Sequence, residues 1–266
     1  MTTDPLFDLT GRVAVVTGGL GQLGTQFSRT LLERGARVAV IDSREMASAP
    51  TSTDARVIVA ADVTNRGSLQ LALMQIKRRW GVPHILINAA AIDAPPDAPA
   101  EENGPFETYP EESWDKVVDV NLKGVVLCCQ VFGGAMAEVG RGSIISIGSI
   151  YGEVSPDQRI YQYRARDGAP FFKPAAYSAT KSALVNLTRY MATYWAPRGV
   201  RANLLTLGGV YRNQDEQFLA GYTARVPLGR MADESDYNGA VVFLASDASK
   251  YMTGSNMIVD GGWTAW

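Results

Sequence analysis

Short apolar segments alternate with longer amphipathic segments along the 266-residue chain. The apolar segments are hydrophobic throughout, as is typical of strands that are buried on both faces of a parallel sheet. They lie at 13–16, 38–41, 57–60, 85–87, 143–147, 200–205 and 257–259. The helical patterns between them lie at 22–34, 66–80, 113–137, 175–195 and 233–246. This alternation predicts an α/β fold, with a doubly wound parallel sheet of about seven strands and helices on both faces.

The domain organisation follows from what interrupts this alternation. The sequence contains no internal repeat and no Gly/Ser-rich linker, so we predict a single domain over 1–266. Two segments are long for plain connections: 93–113 is rich in proline and acidic residues, and 153–174 mixes basic with aromatic residues. Long loops in compact domains are often functional.

Composition excludes several classes of function. A formal charge of −2 gives no electrostatic reason to expect nucleic acid or a membrane surface as a partner. The N-terminal residues lack the basic start and apolar centre of a signal peptide, and we expect a cytoplasmic protein. Adjacent Cys128 and Cys129 and the single His84 offer no metal-ligand spacing, so we predict no metal. One histidine also argues against a Ser-His-Asp hydrolase.

A glycine-rich turn follows the first predicted strand. The segment 17–24 reads Thr-Gly-Gly-Leu-Gly-Gln-Leu-Gly and contains G-x-G-x-x-G at Gly19, Gly21 and Gly24. Glycine is needed there because a Cβ would block the approach of the backbone to a pyrophosphate, which the next helix binds through its free N–H groups. The strand–helix context of this motif predicts a dinucleotide-binding Rossmann fold.

Asp42 stands at the end of the second predicted strand. A carboxylate at this position can accept hydrogen bonds from both ribose hydroxyls and would repel a 2′-phosphate. We therefore predict NAD as the cofactor in preference to NADP, although Arg44 lies close by. The alternative is that Asp42 only caps a turn.

Tyr177 and Lys181 are spaced i, i+4 and share one face of a predicted helix. Lowering the pKa of a tyrosine by about three units requires roughly 4 kcal/mol of preferential stabilisation of the tyrosinate. One cation at about 4 Å supplies approximately that energy at an effective dielectric near 20. The pair is a reasonable acid–base unit beside a cofactor, but the same spacing is common on helix surfaces.

Together these residues resemble the short-chain dehydrogenase/reductase family over nearly the whole chain. The resembling motifs are the glycine turn, Asp62-Val63, Asn88-Ala89-Ala90-Ala91, Asn121, Ser149, Tyr177/Lys181, Gly208-Gly209-Val210 and Asp260-Gly261-Gly262. More specifically, the chain is similar to enzymes of bacterial surface-sugar (nonulosonate) pathways and to gluconate-5-dehydrogenase-like enzymes.

The resemblance implies a catalytic set of Asn121, Ser149, Tyr177 and Lys181. Tyr177 would transfer the proton, Ser149 would orient the substrate oxygen, and Lys181 would bind the nicotinamide ribose and depress the pKa of the tyrosine. Asn121 would hold a helix kink and a water molecule. Alternatively, Asn121 satisfies backbone groups, and Ser149 caps the end of a strand.

The resemblance also implies a set of cofactor-binding residues. They are Gly18, Gly21, Gln22, Leu23, Gly24, Asp42, Asp62, Val63, Asn88, Ala89, Ala90, Tyr177, Lys181, Gly208 and Val210. Several positions depart from the family pattern: Gln22 replaces a glycine, Ala89 and Ala91 replace the family's asparagine and glycine, and Arg212 replaces a threonine.

The spacing between Ser149 and Tyr177 is the largest departure. Twenty-seven residues separate them, many more than in the family, so the extra chain must loop out beside the pocket. We expect 93–113 and 153–174 to form walls of the substrate site, with Ser149, Arg159, Tyr177 and Arg212 binding the substrate. The alternative is that 153–174 forms a subunit contact or a surface loop.

The sequence thus predicts an NAD-dependent oxidoreductase that interconverts a secondary alcohol and a ketone on a sugar, sugar acid or amino-sugar derivative. One alternative is an NADPH-dependent 3-oxoacyl or small-ketone reductase, and another is an inactive dinucleotide-sensing or scaffold protein. The apolar C-terminal tail, which ends in Trp266, predicts a homo-oligomer, with a tetramer favoured and a dimer possible.

Overall fold

The computed structural model describes residues 4–44, 52–93, 100–165 and 169–266. Within these residues seven strands form one parallel sheet: Val13–Thr17 (β1), Arg37–Asp42 (β2), Arg56–Ala60 (β3), Ile85–Asn88 (β4), Gly142–Ile147 (β5), Val200–Leu207 (β6) and Asn256–Val259 (β7). Their order is β3-β2-β1-β4-β5-β6-β7. The order reverses where Thr17 pairs with Asn88, and this reversal opens a crevice at the carboxyl ends of β1 and β4. The predicted fold class is confirmed.

Five helices match the predicted helical patterns, and two more lie in the crevice. The seven are Gln22–Glu33 (α1), Arg66–Trp80 (α2), Glu111–Glu138 (α3), Ile150–Glu153 (α4), Ala175–Trp195 (α5), Glu216–Thr223 (α6) and Asn238–Ala245 (α7). The two that the sequence did not predict, α4 and α6, are four and eight residues long. Such short segments carry too few turns for a periodic pattern to stand out.

Helix α3 contains two π-helical turns, at Asp119–Lys123 and Cys129–Gly133. The first holds Asn121, and single π turns within α-helices are frequently associated with functional sites. By length and composition α3 could also cross a membrane. However, 61% of its apolar window is buried inside the protein, where the helix packs on the sheet as a core helix.

Alternate residues of each strand face opposite sides of the sheet, and both sides are buried. Val13 and Val15 pack with α2, α3 and α5, whereas Ala14 and Val16 pack with α1 and α7. Because both faces are covered, the strands are hydrophobic throughout rather than alternating with polar residues. Helices thus cover both faces of the sheet, and its carboxyl edge is the part that remains open for a site.

A third apolar cluster lies beyond the carboxyl edge of the sheet, away from both faces. It joins α4 and the arm 153–174 to α6 through Tyr151, Tyr161 and Phe218. The arm contains a 3₁₀ helix at Gln158–Arg164, and the rings of Tyr161 and Phe218 lie 5.5 Å apart. The described part of the arm is thus packed into the protein, over the crevice; residues 166–168 of the arm, like 94–99 of the predicted wall segment 93–113, lie outside the described residues.

Candidate active site

One cavity of about 860 Å³ runs along the carboxyl edge of the sheet. It extends from the glycine turn at one end to Tyr177 and the arm 153–174 at the other. The residues predicted to bind cofactor that line it are Gly18, Gly21, Gln22, Leu23, Gly24, Asp42, Asp62, Val63, Ala89, Ala90, Tyr177, Lys181, Gly208 and Val210. Fourteen of the fifteen predicted positions therefore share one space; the exception is Asn88.

The glycine turn is so tight that two of its residues must be glycine. Gly18 has φ +61°, and a Cβ on it would lie 2.7 Å from the Cα of Ala90. A Cβ on Gly24 would lie 2.2 Å from the carbonyl oxygen of Gly18. Helix α1 begins directly after Gly21, and no side chain caps its N-terminus. Its free N–H groups and the open backbone fit the pyrophosphate of a dinucleotide.

Asp42 is buried beside this turn, and its carboxylate is fully engaged. It accepts hydrogen bonds from the backbone N–H of Leu20 at 3.1 Å and from Arg44 Nε at 2.9 Å. Burial raises the pKa of Asp42, but the hydrogen bonds from Arg44 and Leu20 outweigh it and hold the pKa below its usual value. Asp42 is thus an anion poised at the nucleotide end of the cavity.

Asn88 does not reach the cavity, contrary to its predicted contact with cofactor. Its side chain is buried and donates to Ser146 Oγ and to Cys129 Sγ, at 3.3 Å each. It instead ties β4 to β5 and to α3. The neighbouring backbone N–H groups of Ala89 and Ala90 donate to Thr17 Oγ1, which fixes the cavity wall there.

Tyr177 and Ser149 meet at the other end of the cavity in spite of the residues between them. Burial is the largest effect on the pKa of Tyr177 and, together with the Asp93 carboxylate, raises it well above its usual value, while the nearby Ser149 hydroxyl lowers it by less. Ser149 Oγ also accepts the backbone N–H of Tyr151 at 3.2 Å and so caps α4. Ser149 therefore caps a helix rather than the end of a strand, and its predicted role in orienting the substrate oxygen stays a prediction.

Lys181 lies one turn after Tyr177 on α5 and is almost completely buried. Its Nζ is 5.6 Å from the centre of the Tyr177 ring and donates to the carbonyl of Ile147 at 2.7 Å. Burial lowers the pKa of Lys181 to about 8. Desolvation dominates the titration of both groups, and the depression of the tyrosine pKa expected beside a cofactor stays a prediction.

Asn121 holds the π turn of α3 against the loop after β4. Its Nδ2 donates to the carbonyl of Ile92, and its Oδ1 accepts the N–H of the same residue, both at 2.8 Å. Nδ2 also lies 3.4 Å from Thr180 Oγ1, next to Lys181 on α5. The side chain satisfies backbone groups and joins three elements, and it does not itself line the cavity.

Arg159 does not lie where the substrate-site prediction placed it. Its side chain is 77% exposed and forms an ion pair with Asp157 outside the cavity. Asp157 and Arg159 are only two residues apart at the start of a 3₁₀ helix, so the local hydrogen bond turns the arginine towards solvent. Arg212, by contrast, lines the cavity as predicted.

Several cavity residues are not among the site residues that the sequence predicted. They are Arg44, Asp93, Tyr151, Tyr161, Tyr163, Arg164, Lys173, Gln214 and Tyr222. Tyr161, Tyr163 and Gln214 nevertheless belong to polar segments that already suggested a hydroxyl-rich substrate. Most belong to the two lengthened segments or to α4 and α6, whose paths the sequence does not determine. The one available signal was the cluster of basic and aromatic residues at 153–174, which contains Arg164 and Lys173 as well as Arg159.

Tyr222 of α6 fixes the loop after β6. Its hydroxyl accepts the backbone N–H of Gly209 at 2.6 Å, and its ring stacks on Trp263 with the ring centres 4.4 Å apart. The loop thereby holds Gly208 and Val210 at the cavity. Trp263 is therefore buried within the protein, whereas Trp266 is exposed.

Comparisons with known proteins agree with this geometry. A family model described as enoyl-(acyl carrier protein) reductase matches residues 21–264. Galactitol 2-dehydrogenase (L-tagatose-forming) of Cereibacter sphaeroides is 33% identical over 98% of both chains.

Two solved structures are also similar throughout. A short-chain dehydrogenase from Leptospira borgpetersenii with bound NAD⁺ has a TM-score of 0.87 and 34% identity, over 99% of this chain and 97% of that one. A gluconate 5-dehydrogenase from Burkholderia cenocepacia, in complex with NADP and tartrate, has a TM-score of 0.84 and 30% identity, over 98% of both chains. With a family match that spans almost the whole chain, the protein belongs to the short-chain dehydrogenase/reductase family and is an NAD(P)-dependent dehydrogenase of CH–OH groups.

Proposed function

We propose that this enzyme interconverts a secondary alcohol and a ketone on a hydroxyl-rich substrate, with NAD as the cofactor and Tyr177 as the acid–base group. The substrate class is a sugar, sugar acid or amino-sugar derivative. The observation that carries the proposal is the shared position of Ser149, Tyr177 and Lys181 at one end of a cavity that extends to the glycine turn at its other end.

In this proposal each side chain of the site has a separate task. Ser149 donates a hydrogen bond to the substrate oxygen, and Tyr177 accepts the proton of the alcohol or returns one to the ketone. Lys181 holds a positive charge one helical turn from the phenol. The glycine turn and Asp42 would hold NAD, which would supply the hydride acceptor and a positive charge. Asn121 positions α5 and the loop after β4 through its three hydrogen bonds.

The cavity wall supports a hydroxyl-rich substrate. Tyr161, Arg164, Lys173 and Arg212 line the end near Tyr177, and all of them are hydrogen-bond donors. A hydroxyl-rich substrate can exchange hydrogen bonds with these polar side chains, whereas the hydrocarbon part of an apolar ketone cannot. The names of the relatives, a galactitol dehydrogenase and a gluconate dehydrogenase, support the same class.

The preference for NAD rests on Asp42. Its buried anion would accept the adenosine ribose hydroxyls in place of its bonds from the exposed Arg44 side chain, and it would repel a 2′-phosphate. Arg44, the nearest cation, forms an ion pair with Asp42. This pairing partly neutralises the positive charge that Arg44 could otherwise offer to a 2′-phosphate. Both NAD⁺ and NADP occur among the similar structures, so the preference is specific to the residues of this chain.

Replacing Tyr177 with phenylalanine tests the role of the phenol. We expect Tyr177→Phe to lower kcat/KM for polyol oxidation by about 10²- to 10⁴-fold, the usual contribution of a positioned acid–base group. NADH binding, measured by fluorescence, should change little because the ring is retained. Tyr190→Phe, an exposed tyrosine on the same helix, is the matched control. Equal activity of Tyr177→Phe and the wild type would exclude the phenol as the acid–base group.

Steady-state kinetics with both cofactors tests the preference for NAD. We expect the wild type to have the higher kcat/KM with NAD, and Asp42→Asn to reduce the NAD-to-NADP ratio by about 10-fold or more, since a charge-assisted hydrogen bond is lost. Asp54→Asn, at an exposed position, serves as the control. A wild-type preference for NADP would refute the assignment.

The cytoplasmic location and the tetrameric assembly expected from the sequence remain predictions. Size-exclusion chromatography with light scattering measures the assembly directly, and a monomer would refute it.

A further inference from the structure

Lys173 and Asp93 form an ion pair beside Tyr177, and each comes from a different lengthened segment. Asp93 begins the segment that follows β4, and Lys173 ends the arm 153–174. Both side chains line the active-site cavity. The side chain of Lys173 is only 10% exposed, and its Nζ lies 5.3 Å from the centre of the Tyr177 ring. Two ammonium groups, those of Lys173 and Lys181, therefore lie near the catalytic phenol.

The position of Lys173 is held by the arm itself. Gln158 Oε1 accepts the backbone N–H of Lys173 at 2.8 Å, and Gln158 Nε2 donates to its carbonyl at 3.2 Å. This amide clamp fixes the backbone of Lys173, while Asp93 fixes its ammonium group. A donor and an acceptor are thus held side by side at the wall next to Tyr177.

Asp93 also acts electrostatically on the catalytic pair. After the larger effect of burial, its carboxylate raises the pKa of both Tyr177 and Lys181. Because Lys173 Nζ lies 5.3 Å from the centre of the Tyr177 ring and contacts Asp93, the carboxylate lies at the cavity wall near the phenol. A carboxylate oxygen can accept several hydrogen bonds, so Asp93 can accept one from a substrate hydroxyl in addition to that from Lys173.

We propose that Asp93 and Lys173 determine specificity by binding a second hydroxyl on the carbon next to the one that reacts. The neighbouring hydroxyl would donate to Asp93 and accept from Lys173, so the preferred substrates are vicinal diols, which are oxidised to α-hydroxyketones. The pair carries no net charge, and it therefore selects a neutral hydroxyl at this position rather than a carboxylate. This inference rests on the proposed alcohol oxidation and refines its substrate class.

The test compares two alcohols that share a skeleton, 2,3-butanediol and 2-butanol. We expect wild-type kcat/KM to be at least about 10-fold higher for the diol, because a hydrogen bond to a charged group contributes about that much. Asp93→Asn and Lys173→Met should each reduce this ratio by about 10-fold. Lys77→Met and Asp54→Asn, at exposed positions, should leave the ratio as in the wild type.

The possible outcomes separate this inference from the proposed function. Oxidation of both alcohols with the same ratio in the wild type and the two variants overturns the inference alone. No oxidation of either alcohol by the wild type overturns the proposed function as well. A purely structural ion pair would lower both activities equally and leave the ratio unchanged, which also overturns it. If circular dichroism shows that a variant does not fold, the test rests on the wild-type ratio of kcat/KM for 2,3-butanediol to kcat/KM for 2-butanol. A ratio near one then overturns the inference.

Discussion

The two ends of the cavity are built in different ways. The nucleotide end consists of β1, the glycine turn, α1 and the end of β2, so it is formed mainly by residues 13–44, which are close together in the sequence. The substrate end combines Asp93, Ser149, Lys173 and Tyr177 with the loop after β6, which are widely separated. The first end is specified by local backbone geometry, whereas the second depends on how distant segments pack.

This difference predicts where substitutions act. At the nucleotide end the cavity wall is mainly backbone, so even one added methyl group should distort it. At the substrate end the side chains of the arm 153–174 rest on the apolar cluster around Tyr161 and Phe218. Changes there should alter substrate recognition and leave the cofactor cradle as it is.

Gly24→Ala should have the largest effect on the nucleotide end. The new Cβ would lie 2.2 Å from the carbonyl oxygen of Gly18, so the turn must shift. Overpacking of this kind typically costs about 1–3 kcal/mol, and we expect NADH binding to weaken by up to about 100-fold in fluorescence titrations. Gly134→Ala, where no atom lies within 4 Å of the added Cβ, is the control and should bind NADH normally. Unchanged NADH affinity in Gly24→Ala would contradict the tight-turn argument.

Lys181→Met should lower activity but stabilise the protein. The pKa of Lys181 falls from 10.5 to about 8 on folding, so keeping it charged costs about 3 kcal/mol at neutral pH. Subtracting about 1 kcal/mol for the lost hydrogen bond to Ile147 leaves a gain of about 2 kcal/mol in the free energy of unfolding.

The pH dependence of this gain identifies its cause. Between about pH 8 and 10.5 the folded wild type has already released the proton that the unfolded chain still binds, so wild-type stability rises with pH in this window. The gain from Lys181→Met should therefore be full at pH 7 and smaller at pH 9.5 in urea unfolding. Lys77→Met, an exposed control, should show no such trend. A gain that is the same at both pH values would exclude the buried charge as its source.

Tyr161→Phe tests whether the substrate end and the nucleotide end of the cavity act independently. The hydroxyls of Tyr151 and Tyr161 lie 2.7 Å apart and are both buried, so the substitution leaves Tyr151 without this partner. We expect a loss of about 1–2 kcal/mol in stability and a several-fold higher KM for the alcohol. The Kd for NADH should stay within about twofold, and a parallel loss of NADH affinity would argue against independent ends.

Arg159→Ala should have the smallest effect. The arginine is exposed and paired with Asp157 outside the cavity, so KM for polyols and sugar acids should remain within about twofold of the wild-type value. Arg164→Ala, from the same 3₁₀ helix but lining the cavity, should raise KM several-fold. A several-fold higher KM in Arg159→Ala, with KM unchanged in Arg164→Ala, would instead support a contact between Arg159 and the substrate.

The sequence by itself determined the sheet, the glycine turn and the placement of Tyr177 and Lys181 on one helix face. Buried parallel strands must be hydrophobic throughout, and the turn at 18–24 must contain glycine, so both features are visible without any tertiary information. Tyr177 and Lys181 share a helix face because of helical spacing alone. These features depend on contacts between residues that are near in sequence, or on burial that every residue of a segment experiences.

Only the tertiary structure decided which residues of the long segments face the substrate. A segment such as 153–174 has no repeating pattern, so its path follows from packing against α4 and α6 rather than from local preference. That packing brought Arg164 and Lys173 to the cavity, whereas the local hydrogen bond to Asp157 turned Arg159 to solvent. The partnership of Lys173 with Asp93, 80 residues away, is a long-range contact that no local rule could reveal.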